Sequence, residues 1–409
     1  MMRAEYLDMS KIVRDEHILW IFRAVDDHGG TLRFVGGAVR DALAGISGST
    51  PDLVTDLSPD ELVEACQESG LKTAPLGLKL DTIGVVLNDQ ILKVATLRKN
   101  VVDESGKKEV TFSDDWSVDA SRRDLTINAV YADLKGNVFD YYNGISDLEK
   151  GIVRFIGNPE DRIKEDYLRI MRFFRFYGIF GKGDADTKSL QACIKLKSGL
   201  RSEPIERVRD ELFKILVVPN AARVVKLLFD NEILDYFLPK PKNFAALKNL
   251  SDIISDINYR GNFLRRLFVM YQPNVSTAEN IADNLRFTKK QKEAFVSWAK
   301  IEMNFDNIVT ADERKKYIYR YGKQFCIDKI LISCAIKKLK PINLPQVLAE
   351  IESTVIPVFP VRGRDIVELG VSPKSKKIGN ILAKLERKWV ESNFSLSRDE
   401  MINMAKTSL

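Results

Sequence analysis

The hydrophobic pattern of this 409-residue chain changes once, near residue 155, and that change limits the folds open to it. Before it, short extended runs alternate with helices. Thr31–Val35, Asp52–Asp56, Thr82–Leu87, Ile91–Leu97, Thr126–Asp133 and Asn137–Tyr141 read as extended or strand segments, several of them joined as hairpins. Residues 10–29 and Ala38–Leu43 read as helices. So does a helix running to Glu68, started by Ser58 as N-cap, Pro59 at the first helical position and Glu61 closing a capping box. Val101–Glu109 is polar and reads as a loop. After Gly151 the strand signals fade. Asp161–Gly178, Ile205–Leu216, Ala221–Leu228, Phe263–Tyr271, Lys290–Met303 and Glu313–Tyr319 have helical periodicity. A last segment opens at Pro357 with a β-like Val358-Phe359. It continues through the basic run Lys374–Lys377 into a helix over Ile378–Trp389. The pattern predicts an α+β head followed by an all-α remainder.

Composition removes several function classes. No apolar run is long enough to span a bilayer, and the charged opening residues lack a signal-peptide core. The expectation is a cytoplasmic protein without a membrane partner. Only His17 and His28 are present, which argues against histidine-based catalysis. Cys66, Cys193, Cys326 and Cys334 show no CxxC spacing and read as free thiols. A net charge of +6 is compatible with a nucleic-acid partner.

The most informative stretch is Glu165–Phe176, read as one helix without Gly or Pro. Asp166 and Arg169 are three apart and share a face of such a helix. A carboxylate acceptor beside a guanidinium donor matches the edge of adenine or cytosine, whereas uracil and guanine present the pattern reversed. Arg169, Arg172 and Arg175 continue as a cationic ladder suited to phosphate oxygens. Ile170, Phe173, Phe174 and Phe176 bury the other side. Upstream, a strand running into Gly36-Gly37 and a helix start is a place where backbone N–H groups approach phosphate.

Four motifs then fall in order: Val35-Gly-Gly-Ala-Val-Arg-Asp41, Asp52-Leu-Val-Thr-Asp56, Arg122-Arg-Asp-Leu-Thr-Ile-Asn-Ala129 and Glu165-Asp-Tyr-Leu-Arg169. Together they resemble the class II tRNA nucleotidyltransferase and bacterial poly(A) polymerase family, most of all the CCA-adding enzymes in their alphaproteobacterial style. The resemblance covers nearly the whole chain. It implies a polymerase-β-like nucleotidyltransferase head (1–154), a helical neck with the templating helix (155–217), a helical body (218–345) and an RNA-binding tail (346–409). It implies template-independent addition of C and A to tRNA 3′ ends, with CTP and ATP as substrates. Tail and neck basic residues, Lys195, Lys197, Arg201, Lys374, Lys376 and Lys377, are candidates for RNA phosphates. For the nucleotide it implies Gly36, Gly37, Arg40 and Asp41 near the triphosphate. Arg123, Asp124 and Asn128 serve phosphate or ribose, Asp166 and Arg169 the base, and Arg172 and Arg175 the phosphates.

The resemblance also implies phosphoryl transfer through two divalent cations, normally Mg²⁺, held by carboxylates. Here this chain departs from the family. The Asp-x-Asp pattern reads Thr50-Pro51-Asp52, leaving Asp52 as the catalytic and metal-site carboxylate. The position before Val94-Ala-Thr-Leu-Arg98 holds Lys93 in place of a carboxylate, and a His-Gly-Thr pattern reads Leu80-Asp81-Thr82. Asp81 is the candidate replacement. Two alternatives therefore stand beside CCA addition: a paralogue that binds tRNA or another structured RNA without adding nucleotides, and an A-adding or poly(A) polymerase.

Overall fold

The computed structural model describes residues 6–13, 17–46, 50–75, 82–87, 90–102, 108–303, 310–339 and 342–407. Two compact units divide the chain, Met1–Tyr236 and Phe237–Leu409.

In the first unit a seven-stranded sheet is ordered β3-β4-β5-β2-β1-β8-β9. Its strands are β1 (Leu32–Val35), β2 (Asp52–Thr55), β3 (Lys72–Pro75), β4 (Thr82–Leu87), β5 (Gln90–Thr96), β8 (Val130–Ala132) and β9 (Val138–Asp140). β2 pairs β5 in parallel, and the other neighbours are antiparallel. A separate hairpin, β6 (Arg98–Val102) with β7 (Lys108–Phe112), stands where the sequence suggested a loop. Its strand-forming residues are spread through a charged stretch, so the loop reading missed the paired ends; residues 103–107 lie outside the described part.

Strand alternation gives the sheet two unlike faces. Phe34, Leu53, Val85 and Val94 point to one face, under α1 (Ile18–Asp27), α2 (Gly37–Leu43) and α3 (Pro59–Glu68). The Ser58 capping box is present as expected. The first helix is shorter than 10–29, however. Asp8 caps a separate 3-10 turn, Met9–Lys11, and α1 begins only at Ile18. Val35, Val54 and Tyr131 point to the other face, with Trp116 of α4 (Trp116–Ser121) packed over them.

Helices α5 (Gly144–Lys150), α6 (Pro159–Glu165), α7 (Arg169–Phe180), α8 (Thr187–Leu196), α9 (Ile205–Leu216) and α10 (Ala221–Asp230) complete this unit. The single helix expected over 165–176 is two helices. Asp166 is extended (φ −157°, ψ 105°) and ends α6. Its carboxylate accepts from the Leu168 amide at 3.1 Å, as aspartate does at a helix start. Tyr167 packs directly on Gly199, where an added Cβ would lie 2.0 Å from its ring. That contact lies at the break between Glu165 and Arg169.

The second unit is helical: α11 (Phe244–Asp256), α12 (Phe263–Tyr271), α13 (Val275–Asn284), α14 (Lys289–Lys300), α15 (Ala311–Tyr321), α16 (Lys323–Lys337), α17 (Leu344–Ser353), α18 (Gly363–Val367), α19 (Lys376–Glu391) and α20 (Arg398–Lys406). Val358-Phe359 forms no strand: Val358 is exposed, and Phe359 packs on Trp389. Among the described residues no helix is long and apolar enough to cross a membrane. All four cysteines are buried and free.

Candidate active site

One register places the first wall of a cavity. Val35 at the end of β1 lies opposite Asp52 at the start of β2. The chain leaves β1 through Gly36 (φ 69°, ψ −122°), a conformation that side chains resist, and enters α2 at Gly37. Gly36 N–H donates to the Val130 carbonyl oxygen at 3.3 Å, which fixes the turn against β8. Gly36, Gly37 and Asp52 therefore meet at one end of the central strands. The opposite wall comes from the turn after α4, the α6–α7 break and α7. The cavity encloses about 450 Å³, within the range of small-ligand sites. Its lining comprises Gly36, Gly37, Arg40, Asp52, Arg122, Arg123, Asp124, Asn128, Asp166, Arg169, Arg172 and Phe176. Five arginines against three aspartates make it a receptor for a polyanion.

The arginines are held by a chain of ion pairs and hydrogen bonds. Arg40 donates to Asp41 through Nε (2.8 Å) and Nη2 (2.6 Å), and to the Asn128 side-chain oxygen through Nη1. Its guanidinium also lies 4.6 and 4.7 Å from the rings of Phe176 and Phe180. Asn128 donates in turn to Asp124 (2.9 Å), which accepts from Arg172 Nε (2.6 Å) and the Leu125 amide (2.9 Å). Burial pushes the Asp124 carboxyl up, but Arg172 and the Asn128 hydrogen bond hold it below the ordinary carboxylate value. A second buried carboxylate, Asp119, accepts from Arg122, from Arg123 (3.1 Å) and from the Tyr131 hydroxyl (2.7 Å). Burial raises its pKa, and the charges of Arg123 and Arg122 overcome that and keep it ionised.

Ten of the twelve residues singled out from the sequence line this cavity. Asp41 and Arg175 do not. Asp41 sits behind Arg40 as its counter-ion. Arg175 turns to Glu211 of α9 at 2.7 Å, because Glu211 is buried and needs a cation. The ladder of three arginines facing phosphate is thus corrected. Arg169, Arg172 and Arg175 pair with Glu165, Asp124 and Glu211, and only the first two reach the cavity. The Asp166–Arg169 pair is also not two neighbours on one helix face. Asp166 accepts from Arg207 (3.3 Å), while Arg169 donates to Glu165 (2.6 Å) and to the Arg162 carbonyl oxygen (2.8 Å). Both still line the same cavity. Sequence reasoning missed Arg122 and Phe176 as lining residues, and Asp119, Glu165, Arg207 and Glu211 as their partners. For Arg122 the doubled arginine of its motif was the available signal. The remote carboxylates left none.

The donor set does not build a two-cation site. Asp52 is the one cavity aspartate not held by an arginine among those described above. Thr50, two residues earlier, offers a neutral hydroxyl and is exposed. Leu53 pairs Val94 in parallel register, so Lys93 stands beside Asp52 on the same face of the sheet. Among the described residues no group of three His, Cys, Asp or Glu side chains is placed to hold a metal ion. Asp81 lies outside them. Mg²⁺ requires several oxygen ligands in near-octahedral array, which this set does not supply.

Comparison with known proteins agrees with the architecture. Residues 32–154 match the family described as the poly A polymerase head domain. Residues 185–245 match a probable RNA and SrmB-binding site of polymerase A. The human mitochondrial CCA tRNA nucleotidyltransferase 1 is 32% identical over 384 residues, 92% of this chain and 86% of its own length. The CCA-adding enzyme of Staphylococcus haemolyticus is 27% identical over 95% of this chain and 97% of its own. The crystal structure of the Bacillus stearothermophilus CCA-adding enzyme in complex with CTP superposes with a TM-score of 0.77 at 22% identity, covering 96% of this chain and 97% of the other.

Proposed function

The chain belongs to the family of CCA-adding tRNA nucleotidyltransferases, and we propose that it completes tRNA by adding C and A to the 3′ end from CTP and ATP. In that reaction the terminal hydroxyl oxygen of the tRNA attacks the α-phosphorus. The bond to the bridging oxygen breaks, and pyrophosphate leaves. The observation that carries the reading is the meeting of Gly36, Asp52, Arg123, Arg172, Asp166 and Arg169 around one cationic cavity.

Each wall suits a part of the nucleotide. Arg122, Arg123 and Arg172 offer guanidinium donors to the triphosphate, and Asp119 and Asp124 hold them ready. Phe176, with Arg40 over its ring, closes the base of the cavity. Asp166 accepts from the exocyclic amino group of C or A, and Arg169 donates to the ring acceptor beside it. Their pairs with Arg207 and Glu165 are partly exposed and worth little, so a base displaces them at small cost. Asp41 and Arg175 act behind this surface. The four-part division at 154, 217 and 345 belongs to the same reading. So does a cytoplasmic setting, where four buried free thiols stay reduced.

A second reading, tRNA and nucleotide binding without addition, is favoured by one observation: Lys93 beside the lone Asp52. Incorporation of labelled CTP and ATP into tRNA lacking its 3′ end separates the two. Extension through CCA, abolished by Asp52→Ala, is the expected result. Bound but unextended tRNA overturns the enzymatic reading, and extension by A alone overturns the substrate assignment.

A further inference from the structure

The sheet register gives the departure at the metal site a physical meaning. Neighbouring strands lie about 4.8 Å apart, so the parallel pairing of Leu53 with Val94 sets the stems of Asp52 and Lys93 side by side. On its other side Lys93 pairs with Gly84, which has no side chain to separate it from solvent or from the cavity edge. Lys93 is exposed and keeps its stem free to follow Asp52. The remaining cavity carboxylates are not available as ligands. Asp124 is 6% exposed and accepts three hydrogen bonds, and Asp166 is held by Arg207 and the Leu168 amide. A dication about 5 Å from an ammonium group is disfavoured roughly fifteenfold even at the dielectric constant of water.

We infer that this chain holds no divalent cation of its own: Lys93 supplies a positive charge beside Asp52, and the only divalent cation in the cavity is the one that a nucleoside triphosphate brings with it. The inference rests on the reading of this cavity as the nucleotide site. It goes further in assigning Lys93 a positioning role toward Asp52 and the triphosphate.

The test is to count Mn²⁺ bound by the full-length protein, by electron paramagnetic resonance, with and without CTP. The wild type is expected to bind no Mn²⁺ that Asp52→Ala removes, and to take up one ion together with CTP. The double variant T50D/K93E is expected to gain Asp52-dependent Mn²⁺ binding in the absence of nucleotide. Should that variant fail to fold, Lys93→Gln is expected to raise Mn²⁺ affinity at least about tenfold. Mn²⁺ bound by the wild type without CTP and lost in Asp52→Ala, or two ions bound with CTP, overturns the inference. CTP affinity measured by calorimetry on the same samples tests the underlying reading separately. Failure of CTP to bind would remove the nucleotide site, while the count on the protein alone would still decide whether Lys93 excludes the metal.

Discussion

Replacing Arg175 by methionine separates a structural arginine from the phosphate-facing ones. The methionine keeps most of the apolar stem and deletes the guanidinium. That group pairs with Glu211 at 2.7 Å, and the two side chains are 17% and 6% exposed. Stranding one partner of a buried pair costs about 3–5 kcal/mol. Lys214 still reaches the other Glu211 oxygen at 2.8 Å, which offsets part of the loss. The guanidinium also sits 4.1 Å from the Phe176 ring, a contact worth about 0.5–1 kcal/mol. The expected net loss is about 2–3 kcal/mol, and at roughly 2–4 °C per kcal/mol for a unit of this size Tm falls by about 5–10 °C. The sign of the pH dependence follows from Glu211. Burial pushes its pKa up, but Arg175 and Lys214 hold it below the ordinary 4.5. A depressed carboxyl contributes stability above its unfolded pKa and loses it as pH falls through the folded one. The gap between wild type and variant therefore narrows as pH drops below 4.5 toward that depressed value. Thermal unfolding across pH, with CTP titration at neutral pH, checks both parts. CTP affinity should stay within about twofold, since Arg175 lines no part of the cavity. A tenfold loss of CTP affinity with Tm unchanged would refute the reasoning and return Arg175 to the phosphates.

Other substitutions probe the remaining parts. Gly36→Ala has room for its methyl, with the nearest atoms at 3.6 and 3.7 Å, but meets a φ of +69°. It is expected to cost about 1–3 kcal/mol in urea unfolding and to weaken CTP binding as the turn relaxes; unchanged stability would show that the turn is not strained. Asp166→Ala loses an exposed ion pair and one capped amide, about 1 kcal/mol of stability. It should weaken CTP and ATP binding about tenfold or more while leaving UTP binding unaltered; equal losses for all three would remove Asp166 from base reading. In the second unit, burial lifts the Asp328 carboxyl to about 6, although Arg265 lies 3.5 Å away. A raised carboxyl gives stability that is full below its unfolded value of 3.8 and lost as pH rises through about 6. Asp328→Asn should abolish that slope in urea unfolding followed from pH 4 to pH 7, and an equal slope in both proteins would refute the assignment.

The sequence made some features of this protein legible because they are local. The capping box at Ser58, the glycine turn after β1 and the hairpins each follow from a few adjacent residues. Motif order then placed ten residues that line one cavity. The break at Asp166 was hidden for a physical reason. Glu165–Phe176 contains no helix breaker, and at the break Tyr167 packs on Gly199, thirty-odd residues away in the chain, a contact no local pattern could announce. The arginine ladder failed in the same manner. Threefold spacing gives a shared helix face, but Arg172 and Arg175 are claimed by carboxylates 48 and 36 positions distant.

The same distinction bears on the metal site. Thr50 and Lys93 were visible as substitutions in the sequence, yet only the pairing of Leu53 with Val94 sets Lys93 beside Asp52. A lone substitution at either position leaves open compensation from elsewhere. A lysine stands in register beside Asp52, which among the described cavity aspartates is the one not paired with an arginine. Arg122, Arg123 and Arg172 are held by the buried carboxylates Asp119 and Asp124. At the start of β2 a lysine of β5 stands in register beside a carboxylate. The arginine-rich half of the cavity therefore depends on Asp119 and Asp124 for its charge balance, while Asp52 has Lys93 beside it in the sheet. Variants in the two halves should accordingly act on different observables, nucleotide affinity in the first and divalent-ion count in the second.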